Sequence, residues 1–252
     1  MRIVFSCPHC ELEGINREEV TQLSRVRDDH IYSMNCPNGH NLVHIIINYK
    51  FEMLYDFGLM ALMDGYAREA VSSFAAAFER FIEYSIELIL RDSGIENDSF
   101  KETWKSIKKS SERQIGSFYF LFLHKYRVVP PWKMIESERA FRNSVIHEGY
   151  IPTEEETITY AKSVYNQIEL INNTLKESSN EAYRKFLLDR QEMLAVMSGE
   201  TKFKCYLLLD TTLGASRAAF FARENAPVEN FDQSYERAKE RFRDGWNYQK
   251  DN

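Results

Sequence analysis

The sequence predicts a mainly α fold, in which a helical bundle is preceded by a small three-stranded β module and followed by an α/β C-terminal extension. Three observations support this prediction. Segments rich in β-branched and aromatic residues cluster before Lys50, the apolar period then changes from two to about 3.6, and another β-rich segment surrounds Cys205. We therefore divide the chain into residues 1–50, 51–178 and 179–252.

The composition is that of an ordinary globular protein. The 252 residues are 44% apolar and 28% charged, which excludes a disordered or collagen-like chain. The net charge of −6 excludes a generally basic surface, so any contact with RNA or DNA must be local. No stretch approaches the length of a membrane span, and the start MRIVFSCPHC lacks the features of a secretory signal. We expect a cytoplasmic protein with no membrane partner.

The β module contains three predicted strands, which cover residues 2–6 (RIVFS), 30–34 (HIYSM) and 42–49 (LVHIIINY). The insert over residues 11–29 is highly charged, and its sequence fits either a loop or a short helix. The three strands are expected to form the small sheet of the module.

Two short motifs follow the first two strands. CPHC supplies Cys7 and Cys10, and CPNGH supplies Cys36 and His40. Two or three residues between ligands let a tight turn aim both side chains at one metal ion. The pattern therefore indicates a zinc ribbon, in which four protein ligands hold a structural Zn²⁺ ion.

Two alternatives to this ligand set stay open in the sequence. His9 and His44 are competing ligand candidates, but His9 lies between the first two ligands and His44 lies within the third strand. Of the four cysteines, only Cys205 lies far from the motifs, and this uneven placement argues against a disulfide framework. The ribbon can be purely structural, or it can also contact nucleic acid or a partner.

The bundle is predicted from helices separated by short turn signals. They cover residues 51–63, 66–92, 100–109, 112–126, 133–148 and 153–176. In the second helix Ala70, Phe74 and Phe78 belong to an apolar face that must be buried. The SFYFLFLHKY run is expected in the core, with His124 as a structural histidine.

The C-terminal extension, of unknown role, combines both kinds of element. The sequence predicts a helix over residues 181–197, a strand over 203–209 and an amphipathic helix that contains Tyr235, Phe242 and Trp246.

The segment ERAFRNSVIHEGYIPT within the helix over 133–148 carries the candidate chemistry. It places Arg142, Asn143 and His147 at fixed spacing. An imidazole can give or take a proton near neutral pH, and a guanidinium offers a planar fork of donors to phosphate oxygens. Asn143 can orient the histidine or the phosphate. The same spacing recurs in RVRDDH, within the β module.

The RNSVIH segment resembles the active-site motif of HEPN ribonucleases, a family of helical bundles, in which arginine, a polar residue, three further residues and histidine follow in order. The preceding LMALMDGYAREAVSSFAAAFERFIEY also resembles that family, and the resemblance covers residues 51–178. It implies a metal-independent endoribonuclease that leaves 2′,3′-cyclic phosphate ends. It further implies a composite site at the twofold interface of a homodimer, and a role as a toxin or antiviral defence effector.

Several secondary features accompany the motif. Glu79 on the long helix and Glu148 beside the histidine are candidate supporting carboxylates, or simply solvated ones. KETWKSIKKSSER concentrates five cations around Trp104, and it can guide RNA or form a solvated helix face. A regulatory partner protein is also compatible with the sequence.

Two other functions compete with the nuclease. A noncatalytic HEPN-like module would use the ribbon and bundle to recruit a nucleic acid or a protein partner. A zinc-dependent hydrolase fits poorly, because the four ligand candidates fill the coordination sphere.

Overall fold

The computed structural model describes residues 2–130, 136–200, 203–221 and 229–242. The fold is mainly helical, with a small amount of β structure that lies mostly near the amino terminus. The β structure begins with β1 (Arg2–Ser6), α1 (Pro8–Leu12), a short 3-10 helix (Arg17–Val20), β2 (Thr21–Arg25), β3 (Ile31–Asn35) and β4 (Asn41–Ile46).

The strands form two sheets, and this differs from the predicted single three-stranded sheet. β1 pairs antiparallel with β2, and β2 lies within the charged insert of residues 11–29. β3 and β4 form an antiparallel hairpin, and its third strand is β5 (Lys204–Leu207), parallel to β4. The strand β2 was not predicted, because its sequence TQLSR is polar and half-exposed and shows no apolar alternation. Its hydrogen bonds to β1 hold it in the extended conformation.

The C-terminal extension therefore shares a sheet with the β module. Cys205 lies opposite His44 in the parallel ladder, and the backbone N–H of Ile47 donates to the carbonyl of Leu207 at 3.0 Å. The strand predicted over residues 203–209 is present, but its partner is distant in sequence and was not predicted. Residues 1–50 and the extension are consequently held together by main-chain hydrogen bonds.

The helices of the body agree with the predicted periodicity. They are α2 (Lys50–Met63), α3 (Ala67–Asp92), α4 (Asn97–Trp104), α5 (Ser111–Tyr126), α6 (Glu136–His147), α7 (Glu154–Ser178) and α8 (Asn180–Met197). The long α3 lies at the centre and contacts α2, α5, α6 and α7. Its predicted apolar face is buried, as Ala70, Phe74 and Phe78 illustrate. The predicted start of α6 at residues 133–135 lies outside the described residues.

Fewer side chains of the SFYFLFLHKY run of α5 are buried in the core than the sequence predicts. Phe118 and Phe122 are fully buried, but Phe120 is 76% exposed and His124 is exposed. His124 is therefore not a structural core histidine. Because successive helix residues are separated by about 100°, an uninterrupted apolar run cannot bury all of its side chains against one neighbour.

The extension is fixed to α2 by buried charged groups. It continues with α9 (Ala215–Phe221) and α10 (Phe231–Phe242), whereas Trp246 lies outside the described residues. The buried Glu52 carboxylate accepts hydrogen bonds from the Thr211 hydroxyl and the Ser216 backbone, each at 3.0 Å. On the next turn, Arg241 of α10 forms an ion pair with Asp56 at 3.2 Å. These bonds satisfy carboxylates that would be costly to bury alone.

In the part of the chain that the structure describes, no helix combines the length and the apolar character that crossing a membrane would need.

The close contact between α2 and α3 yields a stability prediction. A Cβ atom placed on Gly58 would overlap with the ring of Phe74, which is fully buried. We expect Gly58→Ala to lower the free energy of unfolding by about 1–3 kcal/mol through overpacking. Gly116→Ala is the matched control, because a Cβ there meets open space within α5. It should raise stability by about 0.5–1 kcal/mol.

Chemical denaturation of both glycine variants measures this difference. A Gly58→Ala protein as stable as the Gly116→Ala protein would contradict the packing described here.

Candidate functional site

The structure brings the four predicted metal ligands together. The ligand atoms of Cys7, Cys10, Cys36 and His40 all lie within 4.8 Å of one another. The three cysteines are buried and His40 is half-buried. These side chains can therefore hold a metal ion.

Three of the distances between ligand atoms are close to those around a tetrahedral ion. The Cys10 sulfur lies 3.4 Å from both the Cys36 sulfur and the His40 Nδ1, and the Cys7 sulfur lies 3.6 Å from that nitrogen. Bonds of about 2.3 Å to sulfur and about 2.0 Å to nitrogen require ligand atoms about 3.5–3.8 Å apart. All four positions are supplied by side chains, so the arrangement matches a closed site.

Local geometry explains why these side chains converge. Gly39 adopts a φ of +83°, which turns the β3–β4 hairpin and lets the Cys36 N–H donate to the His40 carbonyl at 2.9 Å. The Asn38 side-chain amide donates to the Cys10 sulfur at 3.3 Å. Such outer hydrogen bonds orient a ligand and stabilise its thiolate form.

The two competing histidines are not part of this cluster. His44 is buried, stacks on Phe5 with ring centroids 5.0 Å apart, and has no hydrogen-bond partner for either ring nitrogen among the described residues. Its burial lowers its pKa to about 4. The ring of His9 stacks on the ring of His40 with centroids 5.2 Å apart and contacts Phe203 at 4.4 Å, but His9 is not one of the four clustered ligands. The set with His40 is therefore the one that the fold assembles.

The second predicted group of residues borders a single cleft. Arg142, Asn143 and His147 all line a cavity of about 340 Å³. Its other walls come from α3, α5 and α7 and from the turn before α5. Arg142 and His147 are roughly 140° apart on α6, so this helix alone does not form a compact site. The surrounding helices enclose the end of α6, so one chain presents all three residues to the same space.

Arg142 is held in place from two sides. Its guanidinium donates to the carboxylate of Glu79 on α3 at 2.5 Å and to the side-chain oxygen of Asn143 at 3.2 Å. Arg142 and Glu79 are each about one-quarter exposed, at 24% and 28%. The Arg142 guanidinium is thus bound by two side chains of the protein, and Arg142 and Glu79 both border the open cavity.

His147 is the last residue of α6, and it is exposed at the mouth of the cleft. The helix ends there because Gly149 adopts a φ of +78° and the Tyr150 N–H donates to the Ser144 carbonyl at 3.0 Å. The imidazole is consequently accessible to a substrate. Glu148 is exposed and is not among the residues that line the cleft.

The rim of the cleft carries further cations. Lys109 lines it from the turn before α5, and Arg139 lines it from α6 itself. The Arg139 guanidinium lies 3.3 Å from the Glu112 carboxylate. The phenol ring of Tyr160 forms part of the wall, and burial raises the pKa of its hydroxyl. At neutral pH this hydroxyl keeps its proton and can donate to an anion.

The basic stretch before α5 contributes less than its sequence suggested. Trp104 is buried and stacks on Phe100, so it cannot stack on a nucleic-acid base. The helix ends at Trp104, and residues 105–109 form turns. Of the five cations in this stretch, Lys109 alone is among the described residues that line the cleft, next to Ser110, Ser111 and Glu112.

Three features of the cleft were not predicted from sequence. They are the ion pair between Glu79 and Arg142, the position of Lys109 on the rim and the contribution of Tyr160. Glu79 was a candidate, but nothing in the sequence indicates its contact across 63 positions. Only the tertiary packing of α3 against α6 creates it.

No family model, no curated protein and no solved structure matches this chain. Membership of the HEPN family therefore stays a prediction that rests on the RNSVIH segment and the helical body.

Proposed function

We propose that the cleft at the end of α6 is the active site of an endoribonuclease of HEPN type. The observation that carries this proposal is that Arg142, Asn143 and His147 border one open cavity. Lys109 and Arg139 also line the cavity, beside the carboxylates of Glu79, Glu112 and Glu138, and these two cations can contact RNA phosphates. The same resemblance suggests a role as a toxin or antiviral defence effector.

The chemistry follows from the side chains present. The 2′-oxygen of a ribose attacks the adjacent phosphorus, and the bond from phosphorus to the 5′-oxygen breaks. A base takes the proton of the 2′-hydroxyl, and an acid gives a proton to the leaving 5′-oxygen. Arg142 stabilises the charge that grows on the non-bridging oxygens. The products are a 2′,3′-cyclic phosphate and a 5′-hydroxyl.

A single histidine can serve as the base or the acid, but one group cannot do both in a concerted step. The proposed homodimer resolves this, because His147 of a second copy supplies the other role at a composite site. We expect light scattering to show a dimer at working concentration. A monomer that cleaves RNA would contradict the composite site.

The metal has a separate role in this proposal. We assign it as Zn²⁺, since three thiolates and one imidazole in a closed tetrahedral set are typical of structural zinc. The ion would fasten the turn after β1 to the β3–β4 hairpin. The RNA chemistry above does not pass through it.

One substrate comparison tests the reaction directly. We would compare an RNA with the same strand carrying a single 2′-deoxynucleotide at the mapped cut. Without the 2′-hydroxyl the proposed nucleophile is absent, so cleavage should stop at that position and continue elsewhere. Unchanged cleavage at the deoxy position would contradict the mechanism.

The ion pair between Glu79 and Arg142 also favours a second function. Because the guanidinium is already bound within the chain, Arg142 can be a structural residue of a noncatalytic module that binds nucleic acid or protein. The two functions make different predictions for Glu79.

In the nuclease, Glu79 is a positioning residue. Glu79→Gln removes the charge that orients the guanidinium, and we expect a loss of about 1.5 kcal/mol, or about tenfold, in the cleavage rate with little change in RNA affinity. Glu83→Gln is the matched control, since Glu83 forms a similar pair with Arg80 on the same helix and does not line the cleft. A Glu79→Gln protein as active as the control would favour a structural Arg142.

A further inference from the structure

A second cleft lies between the β2–β3 loop and one face of α2. It encloses about 590 Å³, which is within the range of small-molecule sites. The residues of this cleft have no part in the proposed nuclease site, because the two cavities share no lining residue. It also contains both members of the second arginine–histidine pair, Arg25 and His30.

The floor of this cleft is apolar and comes from α2. Met53, Leu54, Phe57 and Met60 line it at helical spacings of one, three and four, so they share one face of the helix. Met53 is buried, whereas the other three are only half-buried. The floor is therefore an apolar strip that borders the cavity, and an aromatic group can pack on it.

Three cations and two carboxylates line the cleft: Arg25, Arg27, Lys50, Asp28 and Asp64. Arg27 is paired with Asp29. Arg25 is exposed and forms no ion pair with any residue that the structure describes. Lys50 contacts Asp28 at 2.5 Å, but the Asp28 side chain is 89% exposed. Exposed ion pairs contribute little to stability. Lys50 can therefore exchange this carboxylate for another anion at small cost.

His30 provides a polar group beside the apolar strip. The residue is only 5% exposed, it adopts a left-handed φ of +60°, and its Nδ1 is buried without a hydrogen-bond partner among the described residues. Buried polar atoms are normally paired. Burial lowers the pKa of the ring to about 4, so the imidazole is neutral at pH 7 and offers one donor and one acceptor.

From these contacts we propose that this cleft binds a nucleoside phosphate, with the base on the apolar strip at Leu54 and Met60, a polar edge at His30 and the phosphate at Arg25 and Lys50. The combination decides the ligand class. An inorganic anion would leave the apolar strip unused, and a fatty acid would need a closed apolar tunnel rather than a strip with charged edges. The ligand is a free nucleotide or one nucleotide of an RNA strand, which share this chemistry.

Binding measurements on the full, metal-bound chain test this proposal. Isothermal titration with AMP, GMP, CMP and UMP, with inorganic phosphate and with a hexauridylate covers both sources of the ligand. Arg25→Glu reverses the charge at the proposed phosphate position. His30→Asn removes the imidazole ring, and asparagine tolerates the left-handed backbone at this position. Arg184→Glu on α8 is the matched control, because Arg184 is exposed and lines neither cleft.

We expect at least one nucleotide probe to bind at least tenfold more tightly than phosphate. Arg25→Glu and His30→Asn should each weaken that binding at least tenfold, and Arg184→Glu should leave it unchanged. Binding of the mononucleotides identifies a free ligand, and binding of the hexauridylate alone identifies a strand. No binding of any nucleotide at millimolar concentration, or equal loss in Arg25→Glu and Arg184→Glu, would overturn the proposal.

The test is independent of the nuclease proposal. A His147→Ala protein should bind nucleotide in this cleft as the wild type does, whether or not the wild type cleaves RNA.

Discussion

Replacement of His147 by alanine is expected to lower the rate of RNA cleavage by about 10²–10⁴-fold, the usual contribution of a general acid or base. The imidazole is exposed at the end of α6, so its loss should leave the stability of the protein nearly unchanged. A loss of activity would then report on the chemistry rather than on folding. Single-turnover cleavage of a labelled RNA measures the rate, and thermal unfolding checks the stability.

His124 offers a closely matched control. It is also an exposed histidine in the last turn of a helix, but it does not line the cleft. We expect His124→Ala to cleave RNA at the wild-type rate. If both alanine variants retained full activity, His147 would have no part in the reaction and the noncatalytic module would be the better account.

Loss of the proposed Zn²⁺ ion is expected to have the largest effect on stability. Structural Zn²⁺ sites contribute about 10–16 kcal/mol of binding energy to folding, so Cys36→Ser should lower the free energy of unfolding of the β module by more than about 4 kcal/mol. The effect should extend to the C-terminal extension, because β5 pairs with β4. Amide hydrogen exchange is the appropriate measurement, with loss of protection expected in β3, β4 and β5.

Cys205 is the control for this experiment. It lies on β5 and is half-buried, but it is not one of the four clustered ligands. Cys205→Ser should retain one metal ion per chain by elemental analysis, whereas Cys36→Ser should lose it. Wild-type protection of β4 after complete removal of the metal by a chelator would show that the ion does not hold this region together.

The sequence predicted the elements of the fold better than their pairing. Helical periodicity located α2 and α3, and the CPHC and CPNGH motifs identified all four clustered ligands. Strand pairing depends on contacts between distant residues, which local patterns do not record. The ladder between Ile46 and Leu207 spans most of the chain, and the charged sequence of β2 concealed its pairing with β1.

The candidate site shows the same limit. The spacing of Arg142, Asn143 and His147 is a local property, so the sequence could locate these residues. The enclosure of the cleft is not local, because it needs α3, α5 and α7 to surround α6. On α6 alone, Arg142 and His147 point in different directions. Both residues line one cavity because α3, α5 and α7 form its other walls.

The most direct test of the central claim is to map the ends of an RNA cut by purified, metal-loaded wild-type and His147→Ala protein side by side, with no free divalent cation added. We predict that the wild type leaves 2′,3′-cyclic phosphate and 5′-hydroxyl ends and that the variant leaves the RNA essentially intact. Equal cleavage by the two proteins, or intact RNA with both, would contradict the assignment of the α6 cleft as a ribonuclease site.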